Sequence, residues 1–462
     1  MRMTHLRETR NRVLKCLPAD SLRGRLAWGA FWSLVGAVLS QGSILVASVI
    51  TARILGMVGF GELGIINSTV GMLGVFAGFG LGMTATKYVA EFRIKDPARA
   101  GRIIALSSVV ALATGGLISL ALFIFAPFLA ARTLAAPHLI LELRIGALLL
   151  LCNALNGAQT GALCGFEAFK AIAYANLIRG LFSFPAMVGG VLLWGLPGAV
   201  CGLVLAAAIA CLVNQWILRS ECRRAAVPIR YRAIRSERRV LWDFSLPAFL
   251  SSAMVAPVTW VVATLLVNAP NGYAEMGVFN AANQWRTTLL FLPGLIGQVV
   301  VPILSSLQNA VGRQTARRVL LGSVLTNGLC TVPVVLVLLP CSSWIMSFYG
   351  HAFSPRGAVL QVSLLAGVLL AIQTPVGNLI AAFGRMWAGL LMNAGWAVCF
   401  LSVAYALLAL GWGAQALACA YFAAYLVHAL WTFWFAATLL RPSQRLSTSA
   451  PTGVAAFDTQ SL

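Results

Sequence analysis

Charge is scarce in this chain. Only 10% of its 462 residues are charged, and just 12 of those are Asp or Glu. A soluble domain carries charge on about a quarter of its residues, so a string of soluble domains is excluded. Recognisable chemistry is equally thin. The ten cysteines are scattered, mostly within apolar runs, and no Cys-x-x-Cys pair occurs. A disulfide framework and a zinc site are therefore excluded, and the cysteines read as small helix-packing residues. The four histidines (His5, His138, His351, His428) have no carboxylate or cysteine at ligand or triad spacing. No Gly-rich phosphate loop leads into Lys-Ser/Thr, so ATP cannot be the fuel. The expectation is a protein with no cofactor, no metal and no enzymatic centre, in which uphill movement of a cargo draws on an ion gradient, a membrane potential or consumption of the product.

What is abundant is apolar sequence, at 60% of the chain. Runs of roughly 20 apolar residues, enough to cross about 30 Å of hydrocarbon, recur throughout. They must be helices, because spanning backbone has to satisfy its own hydrogen bonds and the alternation of a lipid-facing barrel is absent. Twelve spans are expected, at 27–51, 62–85, 103–126, 141–164, 172–195, 197–218, 244–267, 277–304, 319–340, 358–382, 388–410 and 412–436. The first is too long for a cleavable signal core and reads as a retained span.

The net charge of +21 would suggest nucleic acid in a soluble protein; here it reads as topology. With the N-terminus inside, cytoplasmic segments and the inner end of the fifth span hold 28 of the 33 Lys/Arg. Outer segments hold four: Arg53, Arg132, Arg144 and Arg356. The expected organisation is a basic cytoplasmic segment (1–26), a six-helix bundle (27–218), a linker with eight arginines (219–243), a second six-helix bundle (244–436) and a disordered cytoplasmic tail (437–462). The linker is expected at the membrane surface, facing lipid head groups.

A repeat ties the two bundles together. Gly59-Phe60-Gly61-Glu62-Leu63-Gly64-Ile65-Ile66-Asn67 returns 213 residues later as Gly272-Tyr273-Ala274-Glu275-Met276-Gly277-Val278-Phe279-Asn280. Ser33 and Ser40 are matched by Ser245 and Ser252 at an offset of 212. Spans one and two thus correspond to seven and eight. With six spans between the copies the repeat is parallel, which places a substrate path between the halves.

Within the eighth span Glu275 and Arg286 are eleven residues apart, almost three turns, so they share a face, and Asn280, Asn283 and Gln284 extend it into a polar arc. Arg286 then lies about 16 Å deeper than Glu275. A charge at that depth costs at least about 2.5–3.5 kcal/mol, so Arg286 must face a wet cavity or a partner; a cationic substrate contact and a structural ion pair are both open. Arg53 and Glu62 flank the first outer turn, and Lys87 closes the second span, giving basic groups at three levels as an anionic cargo would need. Glu142 and Arg144 are expected to pair with each other. Asn67, Asn153, Asn156 and Asn378 are expected to hydrogen-bond between helices. Pro247, Pro257, Pro293 and Pro302 allow bends in spans seven and eight.

Ala52-Arg53-Ile54-Leu55-Gly56 running into the first repeat copy, then Gly78-Phe79-Gly80-Leu81-Gly82 and Lys87-Tyr88-Val89-Ala90-Glu91, resembles the N-terminal segment of bacterial polysaccharide-biosynthesis flippases. These are the O-antigen and exopolysaccharide translocases of the multidrug/oligosaccharidyl-lipid/polysaccharide superfamily. Phe279-Asn280-Ala281-Ala282-Asn283-Gln284-Trp285-Arg286 and Val301-Pro302-Ile303-Leu304-Ser305 look like the corresponding eighth-span segment. The resemblance implies an all-α inner-membrane protein of about twelve transmembrane helices in two pseudo-symmetric six-helix bundles, similar to the multidrug and toxic compound extrusion (MATE) fold. It implies a flippase moving an undecaprenyl-pyrophosphate-linked oligosaccharide from the cytoplasmic to the periplasmic leaflet by alternating access, with membrane lipids, a polysaccharide polymerase and a chain-length regulator as partners. Carried over, Arg286 and Arg53 would contact pyrophosphate or acidic sugars, with Asn280, Asn283, Gln284, Asn67 and Lys87 lining the path. Glu62 and Glu275 would be coupling-ion positions. A cation-coupled drug antiporter of the same superfamily is the alternative, though it should carry deep carboxylates. A membrane glycosyltransferase or polymerase is a more distant one and should show a large outer loop or an acidic catalytic motif.

Overall fold

The computed structural model describes residues 22–232, 234–246, 249, 253–306 and 312–440. Among them every regular element is helical, and thirteen α-helices are set out: α1 (Leu22–Gly78), α2 (Leu81–Lys95), α3 (Pro97–Phe128), α4 (Ile140–Gly165), α5 (Phe169–Arg224), α6 (Val255–Val267), α7 (Gly272–Leu289), α8 (Phe291–Ser306), α9 (Gly312–Leu338), the short α10 (Ser342–Ser347), α11 (Gly357–Ala382), α12 (Met386–Ala409) and α13 (Ala414–Leu439). Eight helical segments are long and apolar enough to cross a membrane. Two of them are double. α1 turns at Gly56 (φ 70°), and α5 turns at Trp194–Gly195, where Gly195 has φ 62°. Only glycine enters that left-handed region without a steric cost. With α6 and the α7–α8 pair the crossings come to about twelve, as expected.

The second and eighth spans depart from the sequence reading, which drew each as one unbroken helix. The second stops at Gly78, because Phe79 (φ 42°) and Gly80 (φ 66°) interrupt the helical ladder before α2 resumes it. The eighth is interrupted at Leu290, between α7 and α8, and Pro293 falls in the first turn of α8, where its missing N–H leaves no bond unmade. The interruptions lie 211 residues apart, measured from Phe79 to Leu290, close to the repeat offset. The two halves therefore repeat a broken helix as well as a phrase.

At the helix breaks the packing changes partners. Above them, the second limb of α1 lies on α7 and α6; beyond them, α2 packs on α3 and α4 of its own half, and α8 on α9 and α11 of its own. The end carrying the repeat phrases is called the phrase end below, and the other the linker end.

At the linker end Asp96 caps α3, its Oδ1 accepting from Arg99 N at 2.9 Å, with Pro97 at the first helical position. The linker docks on this corner of the protein: α5 continues to Arg224, the Pro228 carbonyl lies against Gly101, and the buried Glu237 carboxylate accepts from Arg99 (3.1 Å) and Arg102 (3.0 Å). A small residue at 101 and two arginines one turn apart make the dock, and neither signal is visible as hydropathy. Glu237→Gln removes the shared anion. It is expected to cost about 1–2 kcal/mol, since both arginines keep access to water. Faster tryptic cleavage within 225–239, at unchanged expression, is the readout.

Several smaller expectations are settled. Asn156 bonds between helices, giving Nδ2 to Ala207 O (3.0 Å) and accepting from Asn214 (3.1 Å). Asn67 and Asn153 are exposed, and Asn378 packs against Gly297. Glu142 and Arg144 do not pair. Residues two apart project from different sides of a helix, and Arg144 instead reaches Phe123, its guanidinium 5.0 Å from the ring centre, while Glu142 is buried with Oε2 unpartnered. Of the serine pairs, Ser40 donates to Asn176 O (2.9 Å) and Ser245 shares a 2.7 Å bond with Thr84. Ser252, Pro247, segment 1–21 and the tail from 441 lie outside the described residues.

Candidate functional site

The two copies of the phrase meet each other. Gly61 and Gly277 have no side chain because the facing backbone occupies the space: a Cβ on Gly61 would overlap the Tyr273 carbonyl, and one on Gly277 would overlap that of Met57. Gly64 lies against the Asn280 amide, whose Nδ2 is 3.5 Å from Phe60 O. Small residues at helical spacing let two membrane helices approach at backbone distance.

Each copy also reaches outward with the same two side chains. The aromatic residue crosses to the loop before the fourth span of the other half. Tyr273 OH donates to Leu134 O (2.7 Å), and the Phe60 ring lies 6.1 Å from that of Tyr349. The glutamate two residues later holds the equivalent loop of its own half. Glu62 meets His138 Nε2 at 2.6 Å, and Glu275 meets Arg356 at 2.8 Å. Two further bonds cross between halves, Arg53 Nε to Phe348 O (2.5 Å) and Asn268 Nδ2 to Thr133 O (2.9 Å). Glu275 Oε2 also accepts from Ala414 N (2.8 Å) at the first turn of α13, where a carboxylate is stabilised by the helix dipole. The phrase end is thereby closed by a pseudo-twofold set of contacts, with Arg53, Glu62 and Glu275 all engaged in it.

Arg286 lies deeper, in the last turn of α7, where the break at Leu290 leaves carbonyls that favour a cation. It is 9% exposed. Nε and Nη2 donate to Asn283 Oδ1 at 3.0 and 2.5 Å, the guanidinium carbon sits 4.2 Å from the Tyr421 ring centre, and the stem presses on Gly367 of α11. Nη1 has no partner. Among the described residues no carboxylate pairs with this guanidinium. A buried cation held by an amide and a π face, with donor capacity left over, can accept an anion without first breaking an ion pair.

The remaining polar positions scatter. Asn283 joins Arg286, and Asn280 joins the Gly64 contact; Gln284 is half-buried beside them, while Asn67 is exposed. Lys87 is exposed at the linker end, its Nζ 4.3 Å from the Phe244 ring centre. The structure therefore gathers Arg286, Asn283 and Tyr421 in the second half. It separates them from Lys87 and from the closed mouth.

Over residues 26–308 the chain matches the family described as polysaccharide biosynthesis protein. It belongs to that family. Among the relatives of this chain, the EPS I polysaccharide export inner membrane protein EpsE of Ralstonia nicotianae is 24% identical over 397 residues, covering 85% of this chain and 89% of the relative. The lipid III flippase of Escherichia coli K12 is 23% identical over 286 residues, 61% of this chain and 68% of its own. Among solved structures, the inward-facing conformation of a multidrug resistance MATE family transporter of the MOP superfamily aligns with a TM-score of 0.69 at 14% identity, over 89% of this chain and 98% of that one. A MOP superfamily transporter from Pyrococcus furiosus aligns with a TM-score of 0.63 at 15% identity, over 89% and 96%. These likenesses establish a MATE-like transporter fold for this member of the family.

Sequence reasoning found Arg286 through its depth. It missed Tyr421 and Tyr425, which face the guanidinium from α13, because aromatic residues in an apolar run look like packing. It also missed His138 and Arg356, the partners of the two phrase glutamates, which lie 76 and 81 positions from them. Their position just before equivalent spans was the available signal.

Proposed function

We propose that this protein is a flippase that carries an undecaprenyl-pyrophosphate-linked oligosaccharide from the cytoplasmic to the periplasmic leaflet by alternating access. The observation that supports this most directly is the unpaired guanidinium of Arg286, buried beside a broken helix in a member of a polysaccharide biosynthesis family. A pyrophosphate brings acceptor oxygens and negative charge, which are what Nη1 lacks. Tyr421 holds the guanidinium on its ring face, and Asn283 and Gln284 offer bonds to hydroxyls. A cationic drug would meet an uncompensated positive charge here, which disfavours the antiporter reading.

In this reading residues 27–218 and 244–436 are the two moving bundles, both termini are cytoplasmic, and the phrase end faces the periplasm. The closed contacts there leave the cargo to enter from the linker end. Arg53 acts first in closure and meets cargo only once the mouth opens. The test is direct. Inactivating the protein in its host should cause the lipid-linked oligosaccharide to accumulate on the inner leaflet, protected from a periplasmic probe. Liposomes holding the purified full chain should expose the same lipid to an external glycosidase. An unchanged distribution of the lipid in both settings defeats the proposal.

A further inference from the structure

The glutamate pairs at the phrase end are equivalent in place and unequal in chemistry. Glu62 and Glu275 occupy the same position in the repeat, and each holds the loop that precedes the fourth span of its half. The partner of Glu275 is Arg356, whose guanidinium stays charged at any pH the protein meets. Glu62 has His138 at 2.6 Å, an imidazole, the one side chain whose charge ordinarily changes between about pH 5 and 8. Glu62 is largely enclosed, with a side-chain exposure of 14%, whereas His138 is 62% exposed and can exchange protons with solvent. A cavity of about 320 Å³, lined by Val58, Ala135, Asn268, Asn271 and Tyr273, opens beside the His138 loop.

We propose that the Glu62–His138 pair is a proton-binding site whose occupancy holds the phrase end shut, with Glu275–Arg356 as its non-titrating counterpart. The proposal rests on the reading of the chain as an alternating-access transporter. The loop that His138 closes presents the Thr133 and Leu134 carbonyls to Asn268 and Tyr273 of the other half. Protonated His138 pins that loop to Glu62, and the acceptors stay in register. Neutral His138 keeps at most a hydrogen bond, the loop loosens, and both crossing bonds weaken together. The proton is thus bound more tightly when the mouth is closed than when it is open. Lower pH favours closure; rising pH favours opening.

Other charged or titratable groups around the pair are few. Glu142 follows His138 by one turn, at the start of α4, buried and with Oε2 unpartnered. Tyr273 faces Glu62 from α7. Arg132 stands in the π-turn before the loop. Arg53 is committed to Phe348 O. Across the mouth are Glu275, Arg356 and, at the start of the turn that ends in Arg356, His351. Of these only His351 is an imidazole, and it has no carboxylate partner among the described residues.

The experiment uses the full chain in liposomes, with native cysteines replaced and spin labels on Ala135→Cys and Ala352→Cys, one on each loop. For wild type the short-distance population should rise roughly three- to fivefold between about pH 8 and about pH 5.5, as suits one partly exposed ion pair. His138→Arg should keep the high population at both pH values, and His138→Gln the low one at both. Arg356→His should steepen the wild-type response by adding a second titrating limb. If His138→Gln does not fold, His138→Arg and Arg356→His still decide the matter. A wild-type pH response retained in His138→Arg, or no wild-type response at all, overturns the proposal. Because the readout is opening of the mouth and not movement of lipid, either outcome leaves the flippase reading to its own test.

Discussion

Arg286→Ala is expected to abolish export of the surface polysaccharide while leaving the protein at normal abundance in the membrane. Removing a buried, charge-assisted contact to a phosphate typically costs about 2–5 kcal/mol, which is about thirtyfold or more in the flipping rate. Stability should move the other way or not at all. A buried arginine with no carboxylate partner among the described residues is a desolvated charge, and replacing such a group relieves a cost. Arg286→Lys should retain part of the activity: the ammonium supplies charge but neither the fork that engages Asn283 nor the planar face over Tyr421. Measuring polysaccharide output, protein level and thermal unfolding on all three forms separates the roles. Normal output from Arg286→Ala at normal protein level removes Arg286 from the cargo path, and a large fall in unfolding temperature makes it a structural residue.

Gly61→Ala should have the other large effect, and it acts on geometry. The new methyl would overlap the Tyr273 carbonyl, part of a helix backbone that cannot step aside as a side chain can. The second limb of α1 and α7 must therefore separate at the phrase end, and the crossing bonds around them loosen. Overpacking of this kind costs about 1–3 kcal/mol. Here the cost falls on the closed state alone, so the mouth should open by roughly tenfold in population. Gly277→Ala should behave alike, because Met57 O blocks it in the same way. Gly71→Ala is the control: it has nothing within 4 Å, and helix propensity alone should make it neutral or slightly stabilising. Label distances across the mouth, as for the proton test, are the measurement. Equal effects at positions 61 and 71 would refute the backbone-contact account.

The chain's own letters determined a good deal. Apolar run length and the shortage of charge dictated helical membrane crossings, since no other backbone arrangement satisfies itself in hydrocarbon. The repeat at an offset of 213 determined which helices correspond, and the depth of Arg286 along its helix singled it out. Tertiary structure alone decided what those features do. The phrase reads in sequence as a turn with a carboxylate at a helix mouth. Only when its two copies are brought together does the reason for Gly61 and Gly277 appear, because the atoms that exclude a Cβ belong to the other half of the chain. The partners of Glu62 and Glu275 were hidden for the same reason, as pairing across 76 or 81 positions leaves no periodic trace. The helix breaks were half legible. Pro293 marks one, but the left-handed turn at Phe79–Gly80 is imposed on a bulky residue by packing, and local preference would not choose it. Arg286 shows both sides. Its cost in the membrane follows from sequence, and the lack of a paired carboxylate among the described residues, on which the proposed anion contact rests, follows only from the fold.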